Sequence, residues 1–405
     1  MKRRILFVDD DPNVLQGLQR MLRPMRHEWD MDFASSGEEA LCKLEEAPFD
    51  VIVSDMRMPG MNGAELLKEV ARRHPDVVRI VLSGHSDREY ILQLVTTSHQ
   101  YLAKPCDAET IKDTVTRACA LRDLLASKEL SKVVSQIKTL PSLPSLYVRI
   151  IEILQSDDPP LQKIGEIVTE DIAMSAKVLQ LVNSSYFGIA RRISNPVQAV
   201  MFLGLETVKA LVLSVQIFAK WEGSRLKGFD IERLWHHSMV VGAMAKRLAE
   251  VEQLTAREMD EAFTAGLLHD VGMLILASSL PEVYRKVLDT AQTMKIPLWQ
   301  AEEKAFGTSH AEVGAYLLGL WGLPTSIVEA VAWHHRPLAC PARTFCPLTT
   351  VHVADALWHQ SIPVEEQFVE PSQWLDTALI EEMGLSERIP VWQEIYTQAM
   401  GQGGK

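Results

Sequence analysis

Cysteine is scarce, positive charge is in deficit and no apolar run is long, and each shortage excludes a class of protein. The five cysteines, Cys42, Cys106, Cys119, Cys340 and Cys346, are odd in number and scattered. That excludes the disulfide framework of a small secreted domain. Cys340 and Cys346 also lack the two-residue spacing of a zinc knuckle. The formal net charge of −12 argues against an extended surface that tracks nucleic-acid phosphates. No helix-turn-helix pattern or basic tail offers to read DNA, so no direct DNA binding is expected. No uninterrupted apolar run reaches the roughly 18 residues of a membrane span. Lys2, Arg3 and Arg4 are followed by only four apolar residues before Asp9-Asp10-Asp11, too few for a signal peptide. A cytoplasmic, reducing location without membrane association is the expectation.

What is present is ordinary globular composition, 47% apolar and 23% charged over 405 residues. That length suits two or three domains at roughly 100–200 residues each. Residues 1–107 alternate short apolar runs with amphipathic stretches. Ile5–Val8, Met31–Ala34, Val51–Ser54, Val77–Leu82 and Tyr101–Ala103 read as strands. Pro12–Met25, Gly37–Glu46, Gly63–His74 and Arg88–Thr97 read as helices. This alternation predicts an α/β, doubly wound, five-stranded parallel sheet. A long charged helix over 109–137 then carries Ile111, Val115, Ala118, Leu121 and Leu125 on one face. Leu140-Pro141-Ser142-Leu143-Pro144 punctuates the boundary, and strand patterns end there. Eleven helical segments follow, from Leu146–Gln155 to Leu348–Gln360, with Thr207–Lys220 among them. The second domain is predicted all-α. The expected division is 1–122, a linker helix over 123–137, a helical domain over 138–360, and a C-terminal helical extension over 361–405.

In an open parallel sheet, ligands bind beyond the carboxyl ends of the strands. Asp9 and Asp10 end the first strand, Asp55 the third and Ser83 the fourth, and Lys104 follows the fifth. Three carboxylates there repel one another unless a hard cation such as Mg²⁺ joins them. With Lys104 they suit phosphoryl transfer to Asp55. One such acid alone would more often be a helix cap, as Asp11 before Pro12 suggests. Four motifs in order resemble the receiver domains of two-component response regulators: Ile5-Leu6-Phe7-Val8-Asp9-Asp10-Asp11-Pro12, Ser54-Asp55-Met56-Arg57-Met58-Pro59-Gly60, Leu82-Ser83-Gly84 and Tyr101-Leu102-Ala103-Lys104-Pro105. The resemblance implies a flavodoxin-like fold and Asp55 as the residue phosphorylated by a histidine kinase. It implies Mg²⁺ held by Asp9, Asp10, Asp55 and the Arg57 carbonyl, with Ser83 and Tyr101 as switch residues and Lys104 as the phosphate contact.

Histidine supplies the second signal. His237, His269, His310, His334, His335 and His352 fall on or at the ends of predicted helices, with Asp270 beside His269 and Asp355 three residues after His352. Neutral imidazoles with carboxylates bind Fe, Mn, Zn or Ni, and such ions activate water for phosphoester hydrolysis. Any one of these histidines, His352 for example, reads better as a hydrogen-bonded core residue. The set resembles the HD superfamily of metal-dependent phosphohydrolases through Gly266-Leu267-Leu268-His269-Asp270-Val271-Gly272. The whole of 138–360 is more similar to the HDOD family, through Leu140-Pro141-Ser142-Leu143-Pro144, Val182-Asn183-Ser184-Ser185-Tyr186-Phe187, Leu234-Trp235-His236-His237-Ser238 and Trp333-His334-His335. The resemblance implies a metal at His237, His269, Asp270, His310, His334, His335 and Asp355.

Departures from the cyclic-di-GMP phosphodiesterases of the superfamily matter. Met273 stands where they carry a lysine, Arg233 where they carry a glutamate ligand, and no Gly-Tyr-Pro follows His335. Those losses argue against that hydrolysis. The leading expectation is a phosphorelay response regulator whose helical domain acts by binding a downstream protein, with dimerisation through the linker helix or receiver. The alternative is a receiver-gated metal-dependent phosphohydrolase acting on a nucleotide such as a cyclic dinucleotide.

Overall fold

Val and Ile crowd the runs that form the sheet, because β-branched side chains suit a strand buried on both faces. In the computed structural model, β1 (Arg3–Val8), β2 (Trp29–Ala34), β3 (Val51–Asp55), β4 (Val78–Ser83) and β5 (Gln100–Ala103) form one parallel sheet in the order β2-β1-β3-β4-β5. The structure describes residues 2–83, 98–104, 106–124, 134, 141–142, 149–150, 153, 159–183, 192–209, 219–220, 226, 229–340, 344–362 and 374–402. The helix expected at 88–97 and most of 123–137 lie outside these residues.

Side chains alternate between the two faces of the sheet. Leu6, Val8, Ile52 and Val81 pack with Leu41, Leu66 and Leu67, from α2 (Gly37–Glu46) and α3 (Gly63–Arg73). Ile5, Phe7, Val51, Val53 and Ile80 join Ile111 and Val115 in an apolar core continuous with that of the helical region. Those last two belong to α4 (Ala108–Leu124). The first helix is shorter than the sequence suggests. It covers Pro12–Met21 as α1, and a 3₁₀ turn over Arg23–His27 follows, because Pro24 has no N–H to continue the ladder.

The second region is helical, as expected, through α5 (Leu161–Thr169), α6 (Ile172–Val182) and α7 (Pro196–Lys209), then α8 (Ile231–Val251), α9 (Ala256–Leu268), α10 (Val271–Ser279), α11 (Pro281–Met294) and α12 (Leu298–Phe306). It continues through α13 (His310–Leu320), α14 (Thr325–Trp333), α15 (Pro347–Ser361), α16 (Thr377–Glu382) and α17 (Ile389–Gln402). Asn195 caps α7 through its side-chain oxygen and the Val197 N–H, 2.9 Å away. Gly204, at φ 76°, breaks α7 where the sequence separates two helices. Two expectations are corrected. Strands do not end at Pro141, because Pro141–Ser142 pairs in parallel with Ala219–Lys220. For the same reason the helix read over Thr207–Lys220 does not reach its end. α10 and α12, which the sequence pattern did not reveal, flank the histidine-bearing segments.

α13 is buried from His310 to Leu320. α10 and α4 both pack against it. The C-terminal segment is anchored rather than loose. Trp392 is fully buried and its Nε1 donates to Glu252 Oε1 at 2.9 Å, with Arg388 on the same oxygen at 2.6 Å.

Candidate metal centres

β1 and β3 lie side by side, so parallel register brings Asp9 and Asp55 to one edge of the sheet. One carboxylate oxygen each from Asp9, Asp10 and Asp55 lies within 4.8 Å of the others. Asp9 and Asp55 are buried, while Asp10 is exposed. Lys104 reaches in from the end of β5, with Nζ 2.7 Å from Asp9 Oδ2 and 2.5 Å from Asp55 Oδ1. The Arg57 N–H donates to Asp55 Oδ2 at 3.1 Å. Burial pushes the Asp55 carboxyl up, against the pull of Lys104. The backbones of Ser83 and Tyr101 lie in β4 and β5, the two adjacent strands at that edge; their side chains lie outside the described residues. Three hard oxygen donors with a cation alongside fit a small oxygen-loving ion such as Mg²⁺.

The second cluster is assembled from five helical segments. His237 comes from α8, His269 and Asp270 from the α9–α10 junction, and His310 from the first turn of α13. His334 and His335 follow α14, and Asp355 lies on α15. The junction is tight: a Cβ on Gly272 would lie 1.9 Å from the His310 carbonyl oxygen. All seven side chains meet in two groups that share Asp270. On one side His237 Nε2 lies 3.1 Å from His269 Nε2, 3.4 Å from Asp270 Oδ2 and 3.2 Å from Asp355 Oδ1. On the other, His310 Nε2 lies 3.1 Å from Asp270 Oδ1 and 2.9 Å from His335 Nε2. His334 Nε2 lies 3.8 Å from that same oxygen.

The outer ring nitrogens decide what the inner ones present. A carbonyl only accepts. His269 Nδ1, 2.7 Å from the Gly266 carbonyl, and His334 Nδ1, 2.8 Å from that of Val331, are therefore N–H donors. His310 Nδ1 donates likewise to buried Glu302, at 2.6 Å. In the neutral tautomer each of these rings turns a bare Nε2 lone pair inward. Among the described residues His334 Nε2 is buried without a hydrogen bond, and a cation could supply the partner that such a nitrogen needs. Burial, with His269 next, drives the His334 imidazole down to about 3, and burial drives His335 well below its usual range. Both are thus neutral, as ligation requires. Burial would raise the carboxyls of Asp270 and Asp355, but the imidazoles outweigh it and hold both well below the usual carboxylate range. His237 is raised to about 9 because those two carboxylates outweigh its burial.

The donor set of nitrogen and carboxylate oxygen fits Fe, Mn, Zn or Ni. His237, His269, Asp270 and Asp355 would hold one cation, and Asp270, His310, His334 and His335 a second. His352 stays out, as expected, with Nδ1 against the His334 carbonyl and Nε2 accepting from the Asp376 N–H at 2.9 Å.

Two neighbours were not singled out from the sequence. His359, four residues after Asp355 on α15, has Nε2 3.4 Å from Asp355 Oδ1 and stacks on Trp374 at 3.7 Å. That i,i+4 spacing was a usable signal. Glu302 carried none, since only folding brings α12 beneath His310. It also accepts from the His310 N–H and from Tyr284 Oη, each at 2.8 Å. Such outer partners fix the orientation and basicity of a ligand. Glu302→Gln is expected to weaken metal binding about 10–100-fold, read by competition against a chelating dye. Unchanged affinity would show that the carboxylate has no part in presenting His310.

Family models match the two regions separately. The response regulator receiver domain matches residues 5–116, and the HDOD domain matches residues 140–337. An uncharacterized protein of Treponema pallidum is 29% identical over 231 residues, 56% of this chain and 44% of that protein. The hydrogenase transcriptional regulatory protein HoxA of Cupriavidus necator is 39% identical over 122 residues, 30% of this chain and 25% of HoxA. The chain thus spans less than half the length of these relatives. The MmoQ response regulator of Methylococcus capsulatus aligns at 23% identity over 63% of this chain and 98% of its own, with a TM-score of 0.48.

Proposed function

From a response regulator that joins a receiver domain to an HDOD domain, we propose that Asp55 accepts a phosphoryl group from a histidine kinase and that the new charge controls the helical domain. The observation that carries this reading is Lys104 within 2.7 Å of both Asp9 and Asp55, at a three-carboxylate edge suited to Mg²⁺. Asp55 presents the nucleophilic carboxylate, Lys104 neutralises the incoming oxygens, and Asp9 and Asp10 hold the cation. Ser83 and Tyr101 are the proposed switch pair. The test is phosphorylation of the full chain by a small-molecule phosphodonor with Mg²⁺, followed by intact mass. The wild type is expected to gain one phosphoryl group and Asp55→Asn none. Equal labelling of both would move the acceptor elsewhere.

α4 packs on α13, whose first residue is His310. A change at the receiver therefore has a short mechanical path to the histidine–aspartate centre. Two outputs follow. The replacements at Met273 and Arg233 support output through a downstream protein, with the centre structural or regulatory. The complete two-sided cluster around Asp270 supports a second reading, a metal-dependent phosphohydrolase gated by the receiver. Bound metal would supply Lewis acidity and an activated water there. The chain's own part is to hold the imidazoles and the ionised carboxylates in place and to shape the cavity above them.

A further inference from the structure

α15 carries Asp355 and His359 four residues apart, so both side chains share one face of the helix. α8, which carries His237, packs along α15. His359 Nε2 lies 3.4 Å from Asp355 Oδ1. The ring is held in place. It stacks on the Trp374 indole at 3.7 Å and 5°, and its centroid is 5.5 Å from that of His237. Arg233, His237, Asp355 and His359 line one cavity of about 330 Å³. His359 is the side of this group that an entering ion meets first, with 26% of its side chain exposed against 8% for His237 and 5% for Asp355.

Two observations point to a cation between these groups. Asp355 Oδ1 is buried, and among the described residues it has no hydrogen-bond partner. Yet three imidazole nitrogens surround it: His237 Nε2 at 3.2 Å, His359 Nε2 at 3.4 Å and His269 Nε2 at 3.8 Å. The second observation is their spacing. Donors bonded to one ion at about 2.1 Å stand roughly 3.0–3.6 Å apart, according to the angle between them. The His359–Asp355 distance falls in that span. So do those from His237 to His269 and to Asp270, at 3.1 and 3.4 Å. In place of a further donor one turn before His237, α8 carries Arg233, whose guanidinium stays protonated and cannot ligate.

We propose that His359 is the fifth ligand of the cation held by His237, His269, Asp270 and Asp355, and that its imidazole shifts the choice of ion away from manganese, toward zinc, iron or nickel. This rests on the two-cation reading of the centre. Imidazole suits those later divalent ions, whereas carboxylate suits Mn²⁺. α15 thereby supplies two ligands from one face, and α8 only one.

The test uses the full-length chain, freed of metal and titrated with Co²⁺. Metal content and the visible absorption of bound Co²⁺, which reports the number and type of ligands, are the readouts. The wild type is expected to take up about two ions per chain. His359→Ala should bind one of them about 100-fold or more weakly, at or beyond the top of the 10–100-fold that loss of an outer partner costs, and the Co²⁺ spectrum should change. His359→Glu should recover that ion and lower the preference for Co²⁺ over Mn²⁺ in direct competition, a shift that a merely structural histidine would not produce. A His359→Ala chain whose bound Co²⁺ keeps the wild-type spectrum and affinity would overturn this inference and leave the two-cation reading intact. So would a His359→Glu chain that chooses between Co²⁺ and Mn²⁺ as the wild type does. A wild-type chain that takes up no Co²⁺ would overturn the two-cation reading and this inference with it.

Discussion

Asp270→Ala is expected to empty both halves of the histidine–aspartate centre at once, taking metal content from about two ions per chain to near zero. Its two carboxylate oxygens face different groups, Oδ2 toward His237 and His269, Oδ1 toward His310 and His334. Removing it also leaves up to five imidazole nitrogens crowded within a few ångströms without a bridging charge. His335→Ala, by contrast, touches one group only, so it should lose about one ion and keep the other. Elemental mass spectrometry on purified full-length protein distinguishes these outcomes. If Asp270→Ala and His335→Ala lost the same amount, a shared carboxylate between two cations would be the wrong picture. Full metal content in Asp270→Ala would mean that its carboxylate is not a ligand, and no metal in wild type or variant would make these side chains structural.

Gly272→Ala is expected to destabilise the chain by about 3 kcal/mol, the upper end of ordinary overpacking. The added Cβ would sit 1.9 Å from the His310 carbonyl oxygen and 2.9 Å from the Gly314 nitrogen. These are backbone atoms of a fully buried helix and cannot rotate away. The added methyl must push α10 from α13, and His310 with it. Metal affinity should fall alongside the urea midpoint. Gly17→Ala is the control. A methyl at Gly17 would have nothing within 4 Å of it, and Gly17 is inside α1, so this change should stabilise by up to about 1 kcal/mol. A Gly272→Ala chain as stable as wild type would mean that the α10–α13 contact is adaptable.

Both predictions separate what the sequence determined from what folding decided. The five-stranded parallel sheet followed from runs such as Ile5–Val8 and Val51–Asp55, because a strand covered on both faces must be apolar throughout. Asp9, Asp55 and Lys104 were legible because they sit at the carboxyl ends of those runs, and parallel register sends every such end to one edge. The helical character of the second region was legible in the same way, through its caps and apolar faces. Its seven metal-ligand candidates could be named from residue type and order. Sequence separation alone, however, could not say that they form two groups, or that Asp270 bridges them. That depended on which helices cross at Gly272 and on which ring nitrogens the Gly266 and Val331 carbonyls and Glu302 take up. Glu302, His359 and the cavity under Arg233 belong to the tertiary structure, because each acquires its partners from segments distant in the chain or from a turn of helix that only packing orients. Local pattern records which face of a segment is buried; contact between faces exists only once the helices have packed.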